Sequence, residues 1–169
     1  RSCKSSAELE TIITVEQVGA AATPDRIIPI EGAPFEIPQL KRPIFPDFTI
    51  NIGEKGAKTD VPITSIVNQT IEEVSQKGGG TVIIPKGKWK SGRIVLKSNV
   101  NLHLAEGSEI EFPGNAEDYL PAVFTRHEGI EIMGSGSFIY ANGEDNIAIT
   151  GKGVIYGPSL NAEIRQRPN

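Results

Sequence analysis

From residue 78 onward the sequence is divided into short apolar runs, and this division constrains the fold more than any other feature. Residues 78–85 read GGGTVIIP, and the later runs, rich in Val, Ile and Leu, each end at Gly, Pro, Ser or Asn. Runs of this kind, bounded by turn residues, are typical of β-strands. No helical period interrupts them, so the sequence predicts strands and turns from residue 80 nearly to the end of the chain.

Parts of this β region repeat. Three segments share an alternating apolar pattern that ends in a glycine turn: 99–107, 129–136 and 146–153. A second short apolar strand follows each of them, at 110–112, 138–140 and 154–156. The spacing is one or two multiples of a period of somewhat more than twenty residues, with an insertion around 113–121, which is typical of stacked coils.

Each unit of such a stack buries its inward side chains only against its neighbours. A β-sandwich would instead need hairpins with two-residue turns of the Asn-Gly type, and only Asn142-Gly143 offers one. The sequence therefore predicts an all-β fold, a right-handed single-stranded parallel β-helix.

One helix precedes the strands, at Thr64–Gln76. Its apolar face, spaced at i, i+4 and i+7, consists of Val67, Ile71 and Val74. Thr64 or Ser65 can supply the N-cap, and Gly78 suits the positive φ common at a helix end. We expect this helix, at about 64–77, to cap the open first coil, where strand edges would otherwise meet water.

The sequence divides into four parts. We expect a flexible N-terminal tail over 1–23, an extended Pro-rich lead-in over 24–47, β-helix coils over 48–157 and a truncated tail over 158–169. Proline lacks a backbone donor, so we do not expect the Pro-rich lead-in to lie in the interior of a sheet. If the coils end near Tyr156, their last strands present an open edge, which predicts exposed apolar side chains and self-association.

Composition excludes several classes of function. The net charge is −4 and no extreme pI or basic domain is present, so we expect no nucleic-acid partner. No apolar run is long enough to span a bilayer. A zinc site would need more ligands than Cys3, His103 and His127 can supply, so no metal is expected.

Cys3 is the single cysteine, so a disulfide within the chain is impossible. It is either a tail cysteine without a role or the lipid-carrying cysteine of a bacterial lipoprotein. No complete signal peptide is visible, so we expect any targeting segment to have been removed.

The residues of several blocks together resemble a known family. Residues 58–60, 78–87 and 92–107 resemble the amino-terminal part of the polygalacturonase-type glycoside hydrolases, glycoside hydrolase family 28 of the pectin lyase-like superfamily. Later blocks resemble its bacterial branch: 117–121, 124–126, 128–129, 139–141 and 146–153. The resemblance covers about residues 42–157.

This resemblance implies an enzyme that hydrolyses galacturonate-type linkages in pectin or a related uronic-acid glycan, with inversion and without a cofactor. It also implies a secreted, periplasmic or cell-surface location. Inverting hydrolysis uses two carboxyl groups about 6.5–9.5 Å apart, which leaves room for a water.

The family's catalytic residues do not carry over. Its Asn-Thr-Asp, Asp-Asp, Gly-His-Gly and Arg-Ile-Lys blocks do not occur here, and the nearest acidic pair, Glu144-Asp145, lies in a predicted turn. We therefore expect no catalytic residue in this chain, which resembles the first coils of a longer enzyme. The alternative is a non-catalytic carbohydrate-binding β-helix module; a calcium-dependent lyase would need clustered Asp residues.

Arg126, His127 and Glu128 are the candidate substrate-binding residues. They lie together beside a predicted strand, and cationic groups suit the carboxylate of a galacturonate. The alternative is a solvated loop with an internal ion pair.

Other polar and aromatic residues have simpler interpretations. A basic stretch could bind a polyanion, or could be the outward side of strands: Lys86, Lys88, Lys90, Arg93 and Lys97. His103 alternates with Leu102 and Leu104, so we expect it on the surface, and Trp89 is expected to pack under a loop. Asn99 and Asn146 begin equivalent repeats and predict turn caps or an asparagine ladder.

Overall fold

The structure is a computed structural model, and it describes residues 32–36, 42–159 and 161–162. The predicted tail 1–23, with Cys3, and most of the lead-in 24–47 lie outside the described residues. One α-helix, α1, spans Thr64–Gln76 in the described part, and a 3₁₀ turn spans Ala116–Tyr119. The strands are β1 (Thr49–Asn51), β2 (Gly80–Ile84), β3 (Gly87–Lys90), β4 (Ile94–Val95), β5 (Val100–Leu104), β6 (Ser108–Glu111), β7 (Val123–His127), β8 (Ile130–Gly134), β9 (Ile139–Tyr140), β10 (Ala148–Gly151) and β11 (Val154–Tyr156).

The strands pair in three parallel sheets that the chain visits in turn. The first sheet has the order β1-β2-β5-β10, the second β3-β6-β11 and the third β4-β9. Because the chain passes through β2, β3 and β4 and then through β5, β6 and β9, strands of successive turns lie beside one another. This arrangement is a parallel β-helix, as the sequence predicts.

The core runs along the inside of the coils. Val82 lies opposite Leu102 in the first sheet, and Trp89 lies opposite Ile110 in the second. All four side chains are buried. His103 alternates with the buried leucines and points outward, where its Nδ1 lies 2.9 Å from the Thr150 hydroxyl.

Helix α1 packs against this core. Its apolar face is fully buried and joins the strand side chains in a single cluster, whose helical members are Val67, Ile71 and Val74. The helix ends at Gln76 and Gly78 follows with φ of 95°, as predicted. The predicted N-cap is wrong, because Ile63 occupies that position and the Thr64 hydroxyl instead accepts a hydrogen bond from Gly92 N (2.7 Å).

The middle repeat is also not a coil strand. Residues 99–107 and 146–153 stack in register, as predicted, with Leu102 opposite Ile149. Within residues 129–136, Ile130–Gly134 instead form β8, which pairs antiparallel with β7 in a separate hairpin. Alternating apolar residues predict a strand but not its partner, which explains the error.

A column of left-handed residues marks the turn before the first sheet. The register aligns Gly79, Asn99 and Asn146, whose φ values are 112°, 65° and 54°. Asparagine tolerates this conformation better than most residues. The Asn146 amide donates to Asn99 Oδ1 (2.9 Å), so the predicted asparagine ladder is confirmed.

The same Asn146 amide holds the end of the lead-in. It donates to Ile44 O (2.8 Å) and accepts from Ile44 N (2.9 Å), as a neighbouring strand would. The segment before β1 therefore lies across the turns of the coils.

The last described coil leaves its inward side chains exposed. Ile149 and Ile155 are 47% and 42% exposed, whereas Leu102 and Ile110, one coil earlier, are 0% exposed. No described residue covers them.

Candidate functional site

The predicted substrate residues lie at the end of the β7–β8 hairpin. His127 pairs with Ile130, so Glu128 and Gly129 form a two-residue turn in which both φ values are positive (51° and 86°). Such a turn matches the twist of the two strands. The structure thus brings Arg126, His127 and Glu128 together on one exposed projection of the second coil.

Arg126 is in an ion pair rather than free. Its Nη2 lies 2.9 Å from Glu131 Oε1 across the hairpin, and the two side chains are 67% and 58% exposed. Exposed pairs of this kind contribute little to stability. The guanidinium can therefore exchange Glu131 for another carboxylate at small cost.

The hairpin also presents apolar side chains to solvent. Phe124 and Met133 are opposite each other on the face that carries Arg126 and Glu131, and they are 46% and 65% exposed. The face of the hairpin that carries the Arg126–Glu131 pair is therefore partly apolar.

The basic stretch does not form one patch. The Arg93 side chain is buried and its guanidinium donates to backbone carbonyls. Lys97 pairs with Glu144 (3.2 Å), and Lys88 lies 3.5 Å from Glu109. Arg93 therefore cannot belong to a surface site for a polyanion, and the basic residues do not form a continuous site of that kind.

Glu144, of the nearest acidic pair, has a structural role. Its carboxylate accepts hydrogen bonds from the Ser98 hydroxyl (2.7 Å) and the Ser98 N (2.8 Å). The Ser98 hydroxyl and the Lys97 ammonium hold the pKa of this carboxyl below its usual range. A general acid needs a raised pKa, so Glu144 is unsuited to that role.

A groove that the sequence did not indicate runs along the outer face of the second sheet. Its volume is about 590 Å³ and it is lined by Thr59, Lys88, Trp89, Lys90, Glu109, Glu111, Tyr156, Gly157 and Ser159. Lys90, Glu111 and Tyr156 form one outward row across three coils. Alignment of the repeats on Trp89, Ile110 and Ile155 would have revealed this row.

Trp89 itself is not a sugar platform. Its ring is 5% exposed and its Nε1 donates to Pro85 O (2.7 Å), so it packs beneath a loop as predicted. Among the described residues, no group of three His, Cys, Asp or Glu side chains could hold a metal ion. No helix of the described part is long and apolar enough to cross a membrane.

Parallel coils with an inserted hairpin define a parallel β-helix protein, and comparisons with known proteins identify its relatives. No family model matches the chain. The chain is 30% identical over 118 residues to an exo-poly-α-D-galacturonosidase of Dickeya chrysanthemi, which covers 64% of this chain and 19% of that protein.

Two solved structures that resemble this chain are also exopolygalacturonases. A hyperthermoactive exopolygalacturonase from Thermotoga maritima has a TM-score of 0.65 and 39% identity, covering 69% of this chain and 26% of that chain. A family 28 exopolygalacturonase from Yersinia enterocolitica has a TM-score of 0.54 and 34% identity, covering 65% and 21%.

The homologues of this chain are thus exopolygalacturonases of glycoside hydrolase family 28, and the resemblance predicted from the sequence is confirmed. The chain spans about a fifth to a quarter of the length of these three relatives.

Proposed function

We propose that this chain forms the amino-terminal coils of a pectin-degrading glycoside hydrolase that cleaves galacturonate linkages with inversion. The observation that carries the proposal is 39% identity, with a TM-score of 0.65, to an exopolygalacturonase. The parallel sheets support it, because a β-helix of this kind presents a long side to an extended polysaccharide.

In this proposal the reacting carboxylates are not residues of this chain. The four family motifs that carry them are missing from the sequence. Glu144 of the Glu144-Asp145 pair has a lowered pKa, and its carboxylate accepts hydrogen bonds from Ser98. The role assigned to these coils is substrate binding and support.

Arg126 is proposed to contact the carboxylate of a galacturonate residue, with His127 and Glu128 beside it at the hairpin tip. A guanidinium can bind a carboxylate with two parallel hydrogen bonds. Because Arg126 is exposed, its contribution is modest, about 1 kcal/mol or roughly fivefold in affinity. The proposal requires that contact to weaken as salt screens the charges.

The finer features of the fold are also proposals. We propose a right-handed coil, the hand that parallel crossovers nearly always take. We also propose that α1 caps the first coil. Asn68 supports this role, because its amide donates to Arg93 O (2.9 Å) and accepts from Val95 N (2.8 Å) at the edge of β4 that β9 does not pair.

The test of the binding role is titration of this chain with trigalacturonate at low salt. We expect measurable binding that weakens with added NaCl, and a roughly fivefold loss in Arg126→Ala. Lys152→Ala is the matched control, since Lys152 is also an exposed cation (64%) in an ion pair, with Glu106. Equal losses in both variants would show general charge attraction and would contradict a site at Arg126.

A non-catalytic carbohydrate-binding module remains the second candidate, favoured by the missing catalytic motifs. Both candidates predict binding by this chain. The two candidates make different predictions for the product of the complete reading frame that encodes this chain. If that product is the enzyme, it releases galacturonate from polygalacturonate; if it is the binding module, it does not.

Two further proposals follow from the sequence and the exposed coil end. We propose a secreted, periplasmic or cell-surface location, because a protein that acts on a pectic polysaccharide must be able to reach it. We also propose that the exposed Ile149 and Ile155 side chains favour association of the isolated chain. Analytical ultracentrifugation over a range of protein concentrations tests the latter.

A further inference from the structure

Arg93 is a buried cation without a carboxylate partner among the described residues. Its side chain is 6% exposed. Burial of a charge is costly unless hydrogen bonds compensate it. The partners of Arg93 are backbone carbonyls: Nη1 donates to Pro121 O (2.8 Å), and Nη2 donates to Ser135 O (2.6 Å) and to Tyr119 O.

These carbonyls lie at the two ends of the hairpin. Tyr119 and Pro121 come just before β7, and Ser135 comes directly after β8. One side chain from the first coil therefore joins both ends of an insertion in the second coil. Only a guanidinium has a planar fork of donors that can reach several acceptors at once.

A second contact supports the same hairpin. The Tyr140 hydroxyl of β9 donates to Phe124 O of β7 (2.6 Å). Tyr140 lies opposite Val95 in the parallel pair β4–β9, and Val95 is two residues after Arg93 in the chain. The two side chains that hold the hairpin therefore both come from the third sheet and the residues next to it.

The remainder of the hairpin has little support. Ile130 and Met133 are 67% and 65% exposed, and the Arg126–Glu131 pair at its end is solvated. An isolated two-stranded hairpin is marginally stable in water. Its direction relative to the coils therefore depends on the contacts at its base.

We propose that Arg93 is a positioning residue for substrate binding. By joining the two ends of the β7–β8 hairpin to the first coil, it fixes where Arg126 meets the polysaccharide. This inference rests on the proposed role of Arg126.

The first test is hydrogen–deuterium exchange of the chain and of Arg93→Met. We expect amides of β7 and β8 to exchange roughly tenfold faster or more in the variant, and amides of β5 to keep their rates. If Arg93→Met does not fold, Arg93→Lys decides, because it keeps the charge but lacks the fork and should give an intermediate acceleration. Unchanged exchange in the hairpin would overturn the proposal.

The second test separates positioning from a general loss of stability. We expect Arg93→Met to lose trigalacturonate affinity to the same extent as Arg126→Ala, and the double variant to lose no more than either. Additive losses would show that Arg93 acts independently of Arg126 and would overturn the proposal. Lys152→Ala again serves as the control variant.

The two tests also separate this inference from the function on which it rests. Faster exchange in Arg93→Met with full affinity in Arg126→Ala would remove the substrate role of Arg126 and with it the role of Arg93 in binding. If Arg126→Ala loses affinity but the hairpin amides of Arg93→Met exchange no faster than those of the native chain, the substrate site stands and only the positioning role is removed.

Discussion

The Asn68 side chain of α1 satisfies two backbone groups at the edge of β4, so Asn68→Ala should destabilise the coils. The substitution removes the oxygen that accepts a hydrogen bond from Val95 N (2.8 Å). It also removes the amide that donates to Arg93 O (2.9 Å). An uncompensated buried peptide group costs about 1–3 kcal/mol. Because Asn68 is only half-buried, water can approach, and we take the lower value for each group, about 2 kcal/mol together.

The better helix propensity of alanine returns about 0.5 kcal/mol, which leaves a net loss of about 1.5 kcal/mol in the free energy of unfolding. Urea denaturation followed by circular dichroism measures this loss as a shift in the midpoint. Gln69→Ala is the control, since Gln69 is the exposed neighbour and its replacement changes helix propensity alone, by less than at Asn68. If Asn68→Ala is no less stable than Gln69→Ala, the helix does not satisfy the edge of β4, and its role as a cap is wrong.

Two further predictions concern the turns. Hydrogen bonds from Ser98 lower the pKa of Glu144 in the folded state, so its stabilising contribution is complete above its unfolded pKa of about 4.3 and is lost as pH falls through the lower folded value. Glu144→Gln should therefore be less stable than the native chain near pH 7, with the difference shrinking below about pH 4 in urea titrations; a constant difference would contradict this. Gly151 has φ of 103°, and a Cβ there would meet Leu104 O, so Gly151→Ala should lose roughly 1–3 kcal/mol in thermal unfolding. Gly143→Ala (φ 68°), with nothing within 4 Å of its Cβ, controls for backbone strain, and equal losses would exclude the contact as the cause.

Local patterns were sufficient for most elements of the coils. The 3.6-residue period is sufficient to locate α1, because Val67, Ile71 and Val74 must share one buried face. The alternation around His103 gave its outward direction for the same reason. Stacking of residues 99–107 on 146–153 followed from their matching patterns, since identical parity is required in every coil.

Long-range contacts explain what the sequence did not indicate. Residues 129–136 have the parity of a coil strand, and only the Glu128-Gly129 turn distinguishes them as half of a hairpin. The sequence does not distinguish Arg93 from the exposed lysines beside it. Its partners, the carbonyls of Tyr119, Pro121 and Ser135, lie 26 to 42 residues away and carry no side-chain signal. The substrate role of Arg126 remains a prediction.

The most direct test of the central claim compares polygalacturonate digestion by this chain and by the product of the complete reading frame that encodes it. We expect no turnover by the chain alone. We expect galacturonate released with inverted anomeric configuration by the complete product, observed by proton NMR in the first minutes of reaction. Turnover by these 169 residues unaided, or retention of configuration in the complete product, would contradict the account.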